Sequence, residues 1–139
     1  MFYIVVCSKK NYIICKKNCI YADKTSRFLK KLEEKDILIF YLKRKGLITG
    51  IYKVINKMSS FNDVLFKDNA FQFKIGIKPI IELEEDRWLS IKALTDKLSI
   101  IKKKDLPPGV YLQSTVKNIP EEDYRVIVSE INKIKNLNT

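Results

Sequence analysis

The sequence predicts an α+β fold, a small, mostly antiparallel, partly closed β-barrel flanked by helices, and three observations carry that reading. Residues 36–43 read DILIFYLK, apolar on both faces, as a strand must be when one face meets a barrel lumen and the other a helix. Phe71, Phe73, Ile75 and Ile77 alternate with Gln72, Lys74, Gly76 and Lys78, the period of two of a half-buried strand. Short helical stretches are interleaved with such strands without a regular β/α repeat. At 139 residues, 46% hydrophobic, the chain reads as a single domain, residues 1–139, since domains commonly run to about 100–200 residues.

The elements follow in order. FYIVVC at residues 2–7 is apolar and β-branched enough for a buried strand, after which Ser8 is placed to cap a short helix through about residue 18. Residues 19–22 form a short extended piece, and Thr25 or Ser26 caps a second helix with Phe28, Leu29 and Leu32 inward. Residues 44–46 turn the strand at 36–43 into a hairpin partner at 47–55, where Gly50 marks a bulge or a close backbone approach. Residues 57–69 form a polar loop, long for a connection and so a candidate functional loop. The alternating strand stops near Pro79. Residues 82–86 are an acidic solvated run, 90–98 helical, and 102–109 a loop with two prolines. The last helix begins after Pro120, with Glu121, Glu122 and Asp123 at its positive end, Lys133 and Lys135 at the other, and Tyr124, Ile127, Val128, Ile131 and Ile134 as its buried stripe.

Charge is the strongest compositional signal. The net charge is +11, and it is unevenly spread: residues 1–57 hold 14 Lys or Arg against 4 Asp or Glu, residues 58–139 hold 13 against 12. Such asymmetry within one domain points to a basic face built by the N-terminal half and to a polyanion as partner. No long basic amphipathic helix is visible, so no membrane partner is expected.

Several chemistries are excluded. The chain has no histidine, which removes Ser-His-Asp and Cys-His nucleophiles, the HExxH zinc site and any imidazole acid or base. Cys7, Cys15 and Cys19 are odd in number and lack CxxC spacing, as plain thiols do, so neither a disulfide framework nor a thiolate metal site is expected. The N-terminus has no basic segment ahead of its apolar run, which predicts a cytoplasmic protein. Glu121, Glu122 and Asp123 have a sufficient structural reason at a helix start, and Ser8, Ser26 and Ser114 have no visible base to activate them. No cofactor and no metal are expected.

Five blocks, in this order, resemble the EVE domain and its relative the YTH domain, both of the PUA-like superfamily of small barrels. They are FYIVVC; Asn11 with Ile20-Tyr21-Ala22 following; EEKDILIFY with LITGIYKV; FKIGIKP; and NIPEEDYRVI. The resemblance spans nearly the whole chain and implies a reader of modified bases in nucleic acid, which takes a flipped nucleotide into an aromatic pocket. Carried onto matching positions, it implies pocket residues at the end of the first strand, Cys7 and Ser8, then Asn11, Tyr21 with Ala22, and Phe61 or Phe66 from the long loop. This chain departs from the family where Tyr21-Ala22 stands for the usual Trp followed by Ser or Gly, and where Leu112-Gln113-Ser114 lacks a glycine common in relatives. Both departures leave the ligand's identity open.

The chemistry of such a site is general. A flipped base must replace the stacking it loses, and aromatic faces return about 1–3 kcal/mol per base. An Asn amide offers a donor and an acceptor to the base edge, and lysines hold phosphates without reading sequence. Lys9, Lys10, Lys16, Lys17, Lys24, Arg27, Lys43, Arg44 and Lys45 are the candidate phosphate contacts, although residues on opposite sides of a helix cannot share one groove. Each pocket candidate also has a plainer role. Tyr21 would cover the barrel end, Asn11 would be a helix-start residue, one of Phe61 and Phe66 would be a core anchor, and Trp88 would wedge under a loop instead of joining a cage.

The leading expectation is a non-enzymatic nucleic-acid binder, a monomer or weak dimer, that accepts a modified base near Asn11 and Tyr21. Two rivals stand beside it: an enzyme acting on nucleic acid or a nucleotide with Asp23 or Asp36 as acid or base, and a module whose basic face meets an acidic protein.

Overall fold

Unbroken apolar character along residues 37–42 requires cover on both sides, and the chain supplies it. In the computed structural model, which describes residues 1–60, 72–101 and 116–136, strand β3 (Ile37–Leu42) sends Leu38, Phe40 and Leu42 into one apolar cluster and Ile39 and Tyr41 into another. The β3 strand runs parallel to β1 (Phe2–Cys7) and antiparallel to β4 (Leu47–Val54). Around this centre, β2 (Ile20–Asp23), β5 (Ser59–Ser60), β6 (Phe73–Glu82), β7 (Leu89–Ser90) and β8 (Val116–Ile119) complete one sheet in the order β2-β6-β4-β3-β1-β8, with β5 on β6 and β7 on β4. The result is a curled mixed sheet, a half-barrel with two helices, as the α+β reading expects. Among the described residues the one parallel pair is β1 with β3, and its crossover runs through a helix, β2 and the turn at Leu29–Lys31.

That helix is α1 (Lys9–Asn18). Ser8 caps it, its Oγ accepting from Asn11 N at 3.2 Å, and Tyr12 and Cys15 face inward. It ends at Cys19, whose left-handed conformation (φ 54°) lets its N–H donate back to Cys15 and Lys16. On the other side of the sheet, α2 (Glu121–Asn136) buries Ile127 and Ile131 fully, with Tyr124, Val128 and Ile134 half-buried against the same cluster. Its acidic start and basic end match the expected charge order. Among the described residues no helix is long and apolar enough to cross a membrane.

Three sequence expectations are corrected. Residues 25–32 form only a 3-10 turn at Leu29–Lys31; so short a segment does not repay helix nucleation, yet Leu29 and Leu32 are still buried. Residues 90–98 likewise hold only the turn Ile91–Leu94, with Ser90 capping it. Strand β6 does not stop at Pro79 but continues to Glu82, because the register with β4 shifts between Ile51 and Tyr52 and leaves Ile80 as an extra residue. A bulge is where a strand accommodates proline, and Glu82 therefore ends a strand instead of opening a solvated loop.

The Gly50 expectation is met. The β3–β4 register shifts between Phe40 and Tyr41, and a Cβ on Gly50 would lie 3.0 Å from the Ile81 carbonyl oxygen and 3.1 Å from the Tyr52 ring. The turn joining these strands holds Arg44 and Gly46 in the left-handed region, with Gly46 N donating to Leu42 O at 3.0 Å.

Candidate nucleic-acid interface

The end of β1 and the start of α1 set the first part of the site. Cys7, Ser8 and Asn11 are all half-buried there, and Ser8 is committed to capping, which fixes the helix start that carries Asn11. Lys43 N donates to Cys7 O at 3.0 Å, bringing the basic turn of residues 43–45 beside the same strand end. Burial pushes the Cys7 thiol well above the ordinary range, the neighbouring Cys15 adds to this, and the Lys43 charge opposes it. Cys15, fully buried, is pushed up to about 12 by burial. Neither thiol is a nucleophile at neutral pH.

Tyr21 and Ala22 lie on β2 and are buried, Tyr21 at 2% exposure. Its ring meets Phe40 at 5.8 Å and Phe28 at 6.3 Å, both edge-on, and Phe28 in turn meets Tyr3 at 5.1 Å. Burial raises the phenol's pKa well above 10, with further contributions from Asp23, Cys7 and Cys15. Tyr21 and Cys7, at the end of β1, pack in one apolar cluster. Tyr21 belongs to the apolar cluster on the α1 side of the sheet, in which Phe40 is tilted against Tyr52 at 5.0 Å and Tyr12 stands edge-on to both. Phe61 and Phe66, the expected loop walls, lie outside the described residues, as does the 112–114 segment.

Trp88 is a wedge. Its Nε1 donates to Leu83 O at 3.1 Å, its ring stands edge-on to Tyr12 at 5.9 Å, and the Lys9 ammonium sits 5.9 Å from the ring centroid. Among the described residues no ring contact joins it to Tyr21.

The candidate phosphate cations divide into two groups. Lys9 pairs with Glu85 at 2.8 Å and Lys16 with Glu82 at 3.3 Å, so one side of α1 is already matched by the acidic run at residues 82–86. Lys10, Lys17, Arg27, Lys43, Arg44 and Lys45 are exposed and make no ion pair among the described residues. Lys24 is also exposed, and its N–H donates to Asp23 Oδ1 at 2.6 Å.

The carboxylates considered for acid–base work, Asp23 and Asp36, have structural partners; Asp23 Oδ1 accepts from Lys24 N at 2.6 Å. Asp36 is buried, but Oδ1 lies 3.2 Å from the α-ammonium of Met1 and Oδ2 accepts from Glu33 N at 2.9 Å. Asp123, also buried, accepts from Ser99 N, Ser99 Oγ and Ile100 N at 2.9, 3.0 and 3.2 Å. It fastens α2 to the segment leaving the Ile91–Leu94 turn. No group of three metal-ligating side chains gathers among the described residues.

Of the ring partners of Tyr21, Phe28 was legible as an inward-facing residue, and Phe40 only as one member of an apolar strand. Phe40 lies opposite Gly50 where the β3–β4 register shifts, and Gly50 was the only sequence signal for that bulge.

No protein-family model matches the chain. A UPF0310 protein of Pyrococcus abyssi is 28% identical over 142 residues, covering 92% of this chain and 97% of the relative. Among solved structures, the YTH domain-containing protein mmi1, solved as an RNA complex, superposes with a TM-score of 0.70 at 15% identity, covering 99% of this chain and 86% of that one. The Pho92 YTH domain in complex with m6A gives 0.66 at 19%, covering 96% and 85%. The YTH domain of Zygosaccharomyces rouxii MRB1, in complex with N6-methyladenosine RNA, gives 0.64 at 14%, covering 94% and 85%. At these identities the likeness establishes the fold.

Proposed function

We propose that this protein is a non-enzymatic binder of nucleic acid that accepts a modified base, of the N6-methyladenosine kind, in an aromatic pocket near Asn11 and Tyr21. The carrying observation is the fold: nearly the whole chain superposes on YTH domains, two of them solved with N6-methyladenosine or RNA containing it. The basic N-terminal half supports the same reading, because it supplies phosphate contacts.

The roles follow from position. The Asn11 amide, half-buried at the start of α1, offers a donor and an acceptor to the base edge, and Cys7 and Ser8 form the adjoining wall. Tyr21 forms the inner aromatic wall with Ala22 beside it. Because Tyr21 is almost fully covered, a base reaches its face only by displacing what covers it. Binding therefore carries an opening cost, offset by stacking of about 1–3 kcal/mol per aromatic contact. Lys10, Lys17, Arg27, Lys43, Arg44 and Lys45 hold the flanking phosphates, and binding weakens steeply with salt. RNA is preferred as substrate on the strength of the neighbours.

The test is a titration of one short RNA with adenosine or N6-methyladenosine at a central position. The reading expects tighter binding of the methylated strand. A cavity fitting one methyl group contributes about 1 kcal/mol, or roughly fivefold to tenfold. Equal affinity for the two strands would remove the reader claim and leave general binding intact.

A further inference from the structure

On the sheet face opposite Tyr21, two lysines stand directly across from each other. The β4–β6 register pairs Lys53 with Lys78, next to the pair Val54 with Ile77, which points into the Tyr21 cluster. Lys53 and Lys78 therefore point the other way. Across β3, Lys53 is also paired with Ile37, which packs on the α2-side cluster; the two lysines lie where that cluster runs out.

Like charges directly opposite on adjacent strands destabilise a sheet, and no ion pair among the described residues relieves this one. Neither lysine makes an ion pair among the described residues, in contrast to Lys9 and Lys16 on α1. The neighbouring side chains on this face do not compensate: Ile55 is 44% exposed, and β6 continues on the same side through Gly76, whose carbonyl accepts from Ile55 N at 3.1 Å. Lys57 follows, exposed. A cross-strand arrangement that costs stability, beside an exposed isoleucine and with no acid paired to it among the described residues, fits a surface whose anion arrives from outside.

We infer that Lys53 and Lys78 form a second contact for the phosphodiester backbone, on the outer sheet face, engaged only by strands long enough to run round the β2–β6 edge from the aromatic cluster. This inference rests on the nucleic-acid reading above. It extends the binding surface beyond the end of β1 and α1 to the opposite face of the sheet. A backbone of regularly spaced phosphates suits two ammonium groups held at a fixed cross-strand distance, and sugar carbons can lie on Ile55.

The test measures affinity against salt for RNAs of about 5 and about 20 nucleotides, with wild-type protein and with the double variant Lys53→Gln/Lys78→Gln. The expected result is a loss of about tenfold or more for the long strand near 0.1 M salt, with the log–log slope reduced by about 1.4, because each single-strand phosphate contact contributes about 0.7. The short strand should bind as before, and Lys53→Arg/Lys78→Arg should keep the wild-type slope. Removing the like-charge pair should leave the melting temperature unchanged or raised. If it falls instead, each single Gln variant is measured, and each should lower the slope by about 0.7. An unchanged slope for the long strand overturns the second contact while the reader function stands. Wild-type protein that binds neither RNA overturns both. Poly-glutamate of matched charge displacing the long strand as effectively as unlabelled RNA would assign the lysines to an acidic protein and overturn the backbone contact.

Discussion

Tyr12 on α1 and Tyr52 on β4 place their hydroxyls 2.8 Å apart in the buried interior, 40 residues apart in sequence, which ties the helix that carries Asn11 to the centre of the sheet. Both rings also touch Phe40, so this polar pair sits inside the cluster that holds Tyr21. Removing one hydroxyl leaves the other buried without its partner and should cost about 1–3 kcal/mol, whereas removing both should cost less than the sum. Chemical denaturation of Tyr12→Phe, Tyr52→Phe and the double variant measures the coupling. Additive effects would show that the pair contributes nothing beyond its separate hydroxyls.

Alkali should destabilise the protein. Burial raises the pKa values of Cys7, Cys15, Tyr21 and Tyr52 above their ordinary values of 9 and 10, Cys15 to about 12. The folded state thus holds these protons more tightly than the unfolded chain. The stability this contributes is complete below pH 9 and is lost as pH rises through about 9–12, since the unfolded thiols and phenols ionise first. Urea midpoints at pH 7, 9 and 10.5 should fall in that order. A flat profile would mean that these groups are solvated in the native state.

Gly76 is required by what stands over it. A Cβ there would come within 2.5 Å of the Asn56 side chain, whose Oδ1 accepts from Gly76 N at 2.8 Å. Gly76→Ala should therefore lose about 1–3 kcal/mol through the displaced amide and the lost bond. In an Asn56→Ala background the same substitution should cost much less, and thermal melts of the four proteins read the difference.

Asp123→Ala should cost about 3 kcal/mol or more, because three donors on Ser99 and Ile100 lose one carboxylate. Hydrogen exchange at Ser99 and Ile100 should accelerate more than at β1. Uniform acceleration would mean that Asp123 contributes only to global stability.

How far the sequence carried the fold depended on how local each signal was. β1, β3, β4 and α2 announce themselves through apolar period and terminal charge, and Ser8 marks the start of α1. The passage of β6 through Pro79 was not legible, because it depends on a bulge set by β4. The segments at 25–32 and 90–98 carry helical spacing without the length to form helices, so only their inward residues were readable. At the site, Asn11 and Tyr21 came from the order of the blocks. The near-complete burial of Tyr21 did not, since Phe40 reaches it only through the sheet register. The ion pairs that occupy Lys9 and Lys16 were also hidden, because Glu82 and Glu85 come to α1 from more than sixty residues away.

The most direct measurement is the affinity of wild-type and Asn11→Ala protein for one RNA with and without an N6-methyl group on its central adenosine. Asn11 is half-buried, and its capping bond uses the backbone N–H, so the variant should stay folded. The account expects wild-type protein to favour the methylated strand by roughly fivefold to tenfold. Asn11→Ala should weaken binding of that strand by about tenfold, as the loss of a base-edge hydrogen bond of about 1–1.5 kcal/mol implies, while the salt dependence stays the same. Unaltered affinity and an unaltered methyl preference in Asn11→Ala would contradict the placement of the base between Asn11 and Tyr21.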